Sequence, residues 1–296
     1  MPPDATLVRW VEGVGGVRLA VRSWPGGDPG ALLLHGLASS SHIWDLVAPR
    51  LSTAGVRVVA YDQRGHGESG KPSSAYGFDR TTADARAVIR ATRLRVPVVV
   101  GHSWGANVAL ELADRNPRAL GGVVLLDGGF LSLRDRFDWR TAKEVLSPPP
   151  IAGMPLSEFV EGARTWLRGS VEVTPEIEAV IRSFVRVDAR ARIRPRLNRT
   201  NHLRILHALW AQDTMSLLRR ARVPTLVLAV RSAPGTADSA GFMDEKRRAA
   251  REVRAIGDPV RFEWIDGIHD VPLQRPEALA RRIVRFSRTV VRPRRS

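Results

Sequence analysis

Short apolar runs alternate with longer amphipathic stretches along most of the chain. The runs fall at residues 31–34, 56–60, 98–100, 123–126, 226–230 and 261–265. Several are apolar at nearly every position, as expected of parallel strands covered on both faces. Between them, residues 42–53, 79–92, 106–116, 241–255 and 275–286 carry apolar positions at helical spacing. Strands alternating with helices predict a mostly parallel sheet with helices on both faces. Ahead of this rhythm, residues 6–11 and 17–24 alternate around Gly13, Gly15 and Gly16, which predicts an antiparallel hairpin.

The rhythm breaks once, between about residues 130 and 218. That stretch holds the run Pro148-Pro149-Pro150 and helical patterns at 156–167, 175–187 and 200–210, without a good strand run. An inserted helical cap is the expectation. It divides the chain into a first core segment, residues 1–129, a cap, residues 130–218, and a second core segment, residues 219–296. No internal repeat is evident.

The chemistry concentrates where runs end. Gly101-His102-Ser103-Trp104-Gly105 fits G-x-S-x-G, directly after one predicted strand and directly before a helix. A strand that enters a helix without a loop forces a sharp turn, and the two glycines remove side chains that would clash there. Ser103 is thereby expected above the sheet as a nucleophile, with the Trp104 N–H at the helix N-terminus. A second strand ends at Leu34-His35-Gly36-Leu37, where the Leu37 N–H is expected to complete an oxyanion hole with that of Trp104. His35 itself reads as a brace for this loop. His269, just beyond residues 261–265, stands at the carboxyl end of a strand, where open α/β sheets place their chemistry. It is the candidate base. His42, His66, His202 and His207 lack that context, and His102 is expected to point away from the nucleophile's side.

The stretches LLLHGLASSSHIW, YDQRGHGESGKP, VVGHSWGANVALELA, VVLLDGG and IDGIHDVPLQRPEAL resemble the α/β-hydrolase superfamily in order and spacing. The resemblance spans nearly the whole chain outside the cap. It implies an eight-stranded, mostly parallel sheet, a lid inserted after the sixth strand, and the order nucleophile, acid, histidine. In much of the family the acid follows the seventh strand in a Gly-x-x-Asp pattern. Here that place falls near Ala233, and the nearest carboxylate further along is Asp238. Some relatives carry the acid after the sixth strand instead, where this chain has Asp127. Asp127 is the favoured acid and Asp238 the alternative. Epoxide hydrolases and haloalkane dehalogenases, which share the fold, need an aspartate nucleophile, and position 103 is serine. The resemblance also makes the G-x-G-x-x-G at residues 65–70 part of the family's Asp-x-Arg-Gly-His-Gly-x-Ser loop. No helix is expected to open at Gly70, since Lys71 and Pro72 follow.

Composition adjusts this picture only slightly. The 296 residues carry a formal charge of +16, and no cysteine. A disulfide or thiolate site is therefore excluded. The lysines are Lys71, Lys143 and Lys246, and the remaining basic positions are arginines spread along the chain. That reads as compositional bias rather than as a nucleic-acid motif, although residues 186–199 and 281–295 keep an anionic partner in view. Residues 1–10 carry no signal-peptide pattern and no stretch is long enough for a membrane span, so a cytoplasmic protein is expected. No metal spacing and no cofactor motif are present, and nothing specifies an oligomer.

The sequence therefore predicts a serine hydrolase that cleaves a carboxylic ester, or a related acyl bond, of a small, largely apolar substrate. Carbon–carbon or amide hydrolysis, or cofactor-free haloperoxidase chemistry, on the same triad is the alternative. A ligand-binding member of the fold that does not turn over is a reading of another class.

Overall fold

The structure, a computed structural model, describes residues 7–233 and 243–290. It opens with the predicted hairpin, β1 (Leu7–Glu12) and β2 (Arg18–Trp24), paired antiparallel. Then come β3 (Gly27–Leu34), α1 (Ala48–Thr53), β4 (Val56–Tyr61), α2 (Phe78–Ala91), β5 (Val98–His102), α3 (Trp104–Arg115) and β6 (Gly122–Leu126). After β6 the chain leaves the sheet. It forms α4 (Trp139–Leu146), α5 (Leu156–Leu167), α6 (Pro175–Ser183), β7 (Val185–Val187), β8 (Ile193–Pro195), α7 (Arg199–Ala211) and α8 (Thr214–Arg219). It rejoins the sheet with β9 (Thr225–Arg231), α9 (Met243–Ile256), β10 (Val260–Asp266), α10 (Val271–Gln274) and α11 (Pro276–Val290).

Eight strands form one sheet in the order β1-β2-β4-β3-β5-β6-β9-β10. The pairs from β4 to β10 are parallel, and β2 meets β4 antiparallel. The registers of β3, β5, β6 and β9 bring their carboxyl ends to one edge, with Leu34 opposite Gly101, His102 opposite Leu126, and Leu126 opposite Leu228. This is the α/β-hydrolase fold.

Period-two alternation splits the strand residues between two cores. Leu32, Leu34, Val99, Val123, Leu125 and Val227 face one side, with α2, α3, α8 and α9. Leu33, Val98, Val100, Val124, Leu126, Leu226 and Leu228 face the other, with α1 and α11. Each such Leu or Val contributes roughly 1.5–3 kcal/mol by leaving water, so the strand ends that carry the chemistry rest on a firm base.

The segment between β6 and β9 is mainly helical, and two of its helices, α5 and α7, match the sequence pattern closely. The predicted helix over 175–187 ends earlier, at Ser183, and its remainder becomes β7, paired antiparallel with β8. Three-residue strands are too short to register as alternation, and the β-branched Val185 and Val187 favour extended backbone there. Among the described residues no helix is long and apolar enough to cross a membrane.

Candidate active site

The turn from β5 into α3 has no intervening loop. Ser103 stands between them with φ 54° and ψ −125°, a left-handed conformation that a non-glycine residue adopts at a cost of about 1–3 kcal/mol. The close approach of backbones explains the glycines. A Cβ at Gly101 would lie 2.1 Å from the Gly105 carbonyl oxygen, and one at Gly105 would lie 2.4 Å from that of Leu34. The turn is fixed by the Ser103 N–H, which donates to Leu126 O at 2.9 Å, and by Ser103 O, which accepts from Ala106 N at 2.9 Å. Ser103 itself stays partly exposed.

Asp127 follows β6 as Ser103 follows β5, and it too has positive φ, 44°. Its carboxylate is buried. Oδ1 accepts from Val230 N at 2.9 Å, and Oδ2 lies 2.7 Å from His269 Nδ1. Burial pushes the Asp127 carboxyl up, but the hydrogen bond and charge of His269, then the Lys246 ammonium, outweigh it and hold the group well below the usual carboxylate range. His269 sits on the loop after β10, whose Ile268 N–H donates to Gln274 Oε1 at 2.8 Å. The structure thus brings His269 and Asp127 together at the edge where Ser103 stands. Asp238, the other sequence candidate for the acid, lies outside the described residues. Asp266 pairs with Arg231 at 2.6 Å on the surface, and Asp270 accepts from Trp166 Nε1 at 3.2 Å.

The loop after β3 passes beside the nucleophile. A Cβ at Gly36 would meet Ser103 Cβ at 3.1 Å and its Oγ at 3.6 Å. His35 braces this loop, as expected: Nε2 accepts from Gln63 N at 2.9 Å, so Nδ1–H donates to Gly36 O at 2.8 Å. Gln63 Nε2 donates to His35 O at 2.7 Å. Among the described residues, the N–H groups of Leu37 and Trp104 make no hydrogen bond. Two free donors at this turn and at a helix N-terminus suit a developing oxyanion. The G-x-G-x-x-G stretch forms turns and opens no helix. Its neighbours Asp62 and Arg64 are buried braces: Asp62 accepts from Ser41 N at 2.7 Å and Glu68 N at 2.8 Å, and Arg64 clasps Asp84 with bonds of 2.6 and 2.8 Å.

Three contributors escaped the sequence reading. His66 is one. Its Nε2 accepts from Ala38 N at 3.2 Å, and its ring stacks on Trp104 with centroids 5.3 Å apart, tying the loop after β3 to the start of α3. His102 is another. Rather than merely pointing away, it donates from Nε2 to His269 O at 2.9 Å, with the two rings 4.8 Å apart. The third is Lys246 of α9, whose Nζ lies 2.8 Å from Asp127 Oδ1 and 3.1 Å from Oδ2. Its signal was present in the sequence: Met243, Lys246, Ala249, Ala250 and Val253 form the buried stripe of α9, so a lysine occupies an apolar position of the helical rhythm. No cluster of three His, Asp or Glu side chains able to hold a metal occurs among the described residues.

The buried imidazoles make stability depend on pH. Burial first, then the charge of His269, pushes His102 down to about 4, and burial holds His35 and His66 below their ordinary values as well. In the unfolded chain each binds a proton below about pH 6.5. Between that value and the folded one, the unfolded state carries more protons, so stability falls as pH falls. His102 alone is expected to cost about 2 kcal/mol between pH 7 and pH 5. Guanidinium unfolding at the two pH values measures it. An unchanged midpoint would contradict the neutral, buried state of these rings.

A sequence model described as alpha/beta hydrolase fold matches residues 32–149, a stretch that includes Ser103 and Asp127 and stops before His269. Epoxide hydrolase B of Mycobacterium tuberculosis is 41% identical over 98 residues, covering 32% of this chain and 28% of that protein. The 2-(acetamidomethylene)succinate hydrolase of Mesorhizobium japonicum is 34% identical over 124 residues, covering 42% of this chain and 44% of that protein. The chain thus spans less than half the length of these curated relatives. Among solved structures, an E-2-(acetamidomethylene)succinate hydrolase superposes with a TM-score of 0.74 at 22% identity, covering 95% of this chain and 98% of that one.

Proposed function

We propose that this chain, which has the α/β-hydrolase fold and matches an alpha/beta hydrolase sequence model over residues 32–149, is a serine hydrolase that cleaves a carboxylic ester, or a related acyl bond, of a small and largely apolar substrate. The observation that carries the reading is the 2.7 Å contact of His269 Nδ1 with buried Asp127, at the sheet edge where Ser103 follows β5. With the ring proton on Nδ1, held by the carboxylate, the lone pair of Nε2 is the basic site of the imidazole. His269 takes the Ser103 proton as Oγ attacks the carbonyl carbon. The N–H groups of Leu37 and Trp104 receive the oxyanion. His269 then protonates the leaving alcohol as the C–O bond breaks and an acyl-serine remains. Water, deprotonated by the same imidazole, attacks the acyl carbon, and the proton returns to Ser103 as the acid departs. Asp127 fixes the imidazole tautomer and stabilises the imidazolium. Each oxyanion donor contributes on the order of 10²–10³ in rate.

On this reading residues 130–218 act as a cap over the site. Support comes from α5, whose Trp166 reaches Asp270, the neighbour of His269. Trp139 of α4 meets His207 and Trp210 of α7 in edge-on and tilted ring contacts, with centroids 4.8–5.9 Å apart, which tie these two helices together. The epoxide hydrolase relatives do not transfer their reaction, since the carboxylate nucleophile that such chemistry needs is replaced by the hydroxyl of Ser103. A second reading, amide hydrolysis on the same triad, is favoured by the 2-(acetamidomethylene)succinate hydrolases that the chain resembles in both sequence and fold.

Nitrophenol release from p-nitrophenyl esters of increasing acyl length tests the proposal. Turnover with a preference for one length is expected. Turnover of acyl amides with none of the esters would favour the second reading, and no turnover of either class would overturn both.

A further inference from the structure

We propose that Lys246 is a positioning residue for the reaction: it shares the negative charge of Asp127 and so keeps His269 neutral, and competent as a base, at lower pH than an isolated Asp–His pair would. The inference rests on the proposed reading of Asp127 as acid and His269 as base.

Lys246 reaches the acid from α9, across the sheet end. Its Nζ contacts both carboxylate oxygens, at 2.8 and 3.1 Å, and donates to Val230 O at 3.3 Å. The two side chains are 7% and 1% exposed. Asp127 is therefore not the partner of His269 alone. It stands between two nitrogen groups: Lys246 spans both oxygens, the Val230 N–H also reaches Oδ1, and His269 also reaches Oδ2. Burying an ammonium is costly unless it is paired, and an apolar side chain would complete the α9 stripe without that cost.

The consequence for His269 follows from charge. A lone buried carboxylate beside an imidazole favours the imidazolium strongly. A carboxylate already paired with an ammonium presents almost no net charge, so the imidazolium gains less. Among the described residues, the other ionisable groups nearby do not replace this effect. His102 of β5 faces the His269 ring and is neutral at pH 7, held down to about 4 by its burial and then by His269. Asp270 adjoins His269 and is engaged by Trp166. Glu245 adjoins Lys246 on α9 and lies 3.7 Å from Arg136 of the segment before α4.

The test compares wild type with Lys246→Gln, which keeps a donor but removes the charge, and Lys246→Arg, which keeps the charge. The His269 ring is titrated by NMR, with its signal assigned from His269→Asn. This readout needs no substrate, so it stands even if the acyl-transfer reading fails. The midpoint is expected to rise by about one pH unit in Lys246→Gln and to stay near wild type in Lys246→Arg. If the ester activity is present, the acid limb of kcat/KM moves up by the same amount. An unshifted midpoint in Lys246→Gln, or a lowered kcat with an unmoved limb, would mark the pair as structural only and overturn the proposal. Should Lys246→Gln fail to fold, wild type decides. The Lys246 ammonium ¹⁵N signal must shift as His269 titrates, and a signal indifferent to that titration would also overturn it.

Discussion

Ser103→Ala is expected to lower kcat on a turned-over ester by about 10⁴-fold or more, with folding unaffected. The magnitude follows from the unit behaviour of a nucleophile and its base: losing either removes the covalent route, and what remains comes from the oxyanion donors and binding. The fold should tolerate the change. Alanine inherits the same left-handed φ of 54°, and no described hydrogen bond of the Ser103 hydroxyl holds the turn, which is fixed by main-chain contacts to Leu126 and Ala106. Two measurements belong together. Stopped-flow release of nitrophenol should show an acylation burst in wild type and none in the variant. Mass spectrometry of quenched wild type should place the acyl group on Ser103. Activity within tenfold of wild type would refute the nucleophile assignment.

Asp127→Asn is expected to act twice. It should reduce turnover by about 10⁴-fold, because an amide in place of the carboxylate favours the wrong imidazole tautomer and no longer stabilises the imidazolium. It should also destabilise the protein by about 3–5 kcal/mol, because Lys246 is left buried without its counter-ion. The second effect depends on pH. The folded Asp127 carboxyl is held below its unfolded value, so its contribution is present above about pH 4 and is lost as pH falls further. The gap in stability between wild type and variant should therefore be wide at pH 7 and narrow towards pH 3. Kinetics and guanidinium unfolding on the same preparations read both effects. Near-normal turnover in Asp127→Asn, with a dead Asp238→Asn, would move the acid to Asp238.

The elements that lead to Ser103 and Asp127 were legible because each is a nearly continuous apolar run, as a strand buried on both faces must be: β5 and β6 extend only slightly beyond the runs at 98–100 and 123–126. β10, which leads to His269, lies at the sheet edge and shows instead as the alternation Arg261-Phe262-Glu263-Trp264-Ile265. The mostly parallel sheet followed from the same rhythm, and its eight strands from the family resemblance. The supports of the site were not legible in that way. His66 and His102 act through backbone groups far away in sequence, at Ala38 and His269, and no local pattern predicts such a partner. Lys246 did break a local pattern, but a lysine on a helix's apolar stripe more often leads its ammonium out to water along a buried stem. Only the packing of α9 across the sheet end turns that stem inward. The short β7–β8 pair escaped for a simpler reason, its length.

The position of Asp127 also bears on how the chain can diverge. With the acid at the end of β6, the proposed nucleophile, acid and both oxyanion donors lie between Leu37 and Asp127, upstream of the helical segment that follows. Only the base arrives from the far side of that segment. Insertions, deletions or exchange of the intervening helices would then leave most of the reacting groups in one uninterrupted stretch of polypeptide. Selection could reshape the substrate chamber while the older chemistry stays in place, provided the returning strands still deliver His269 and the lysine that accompanies its partner.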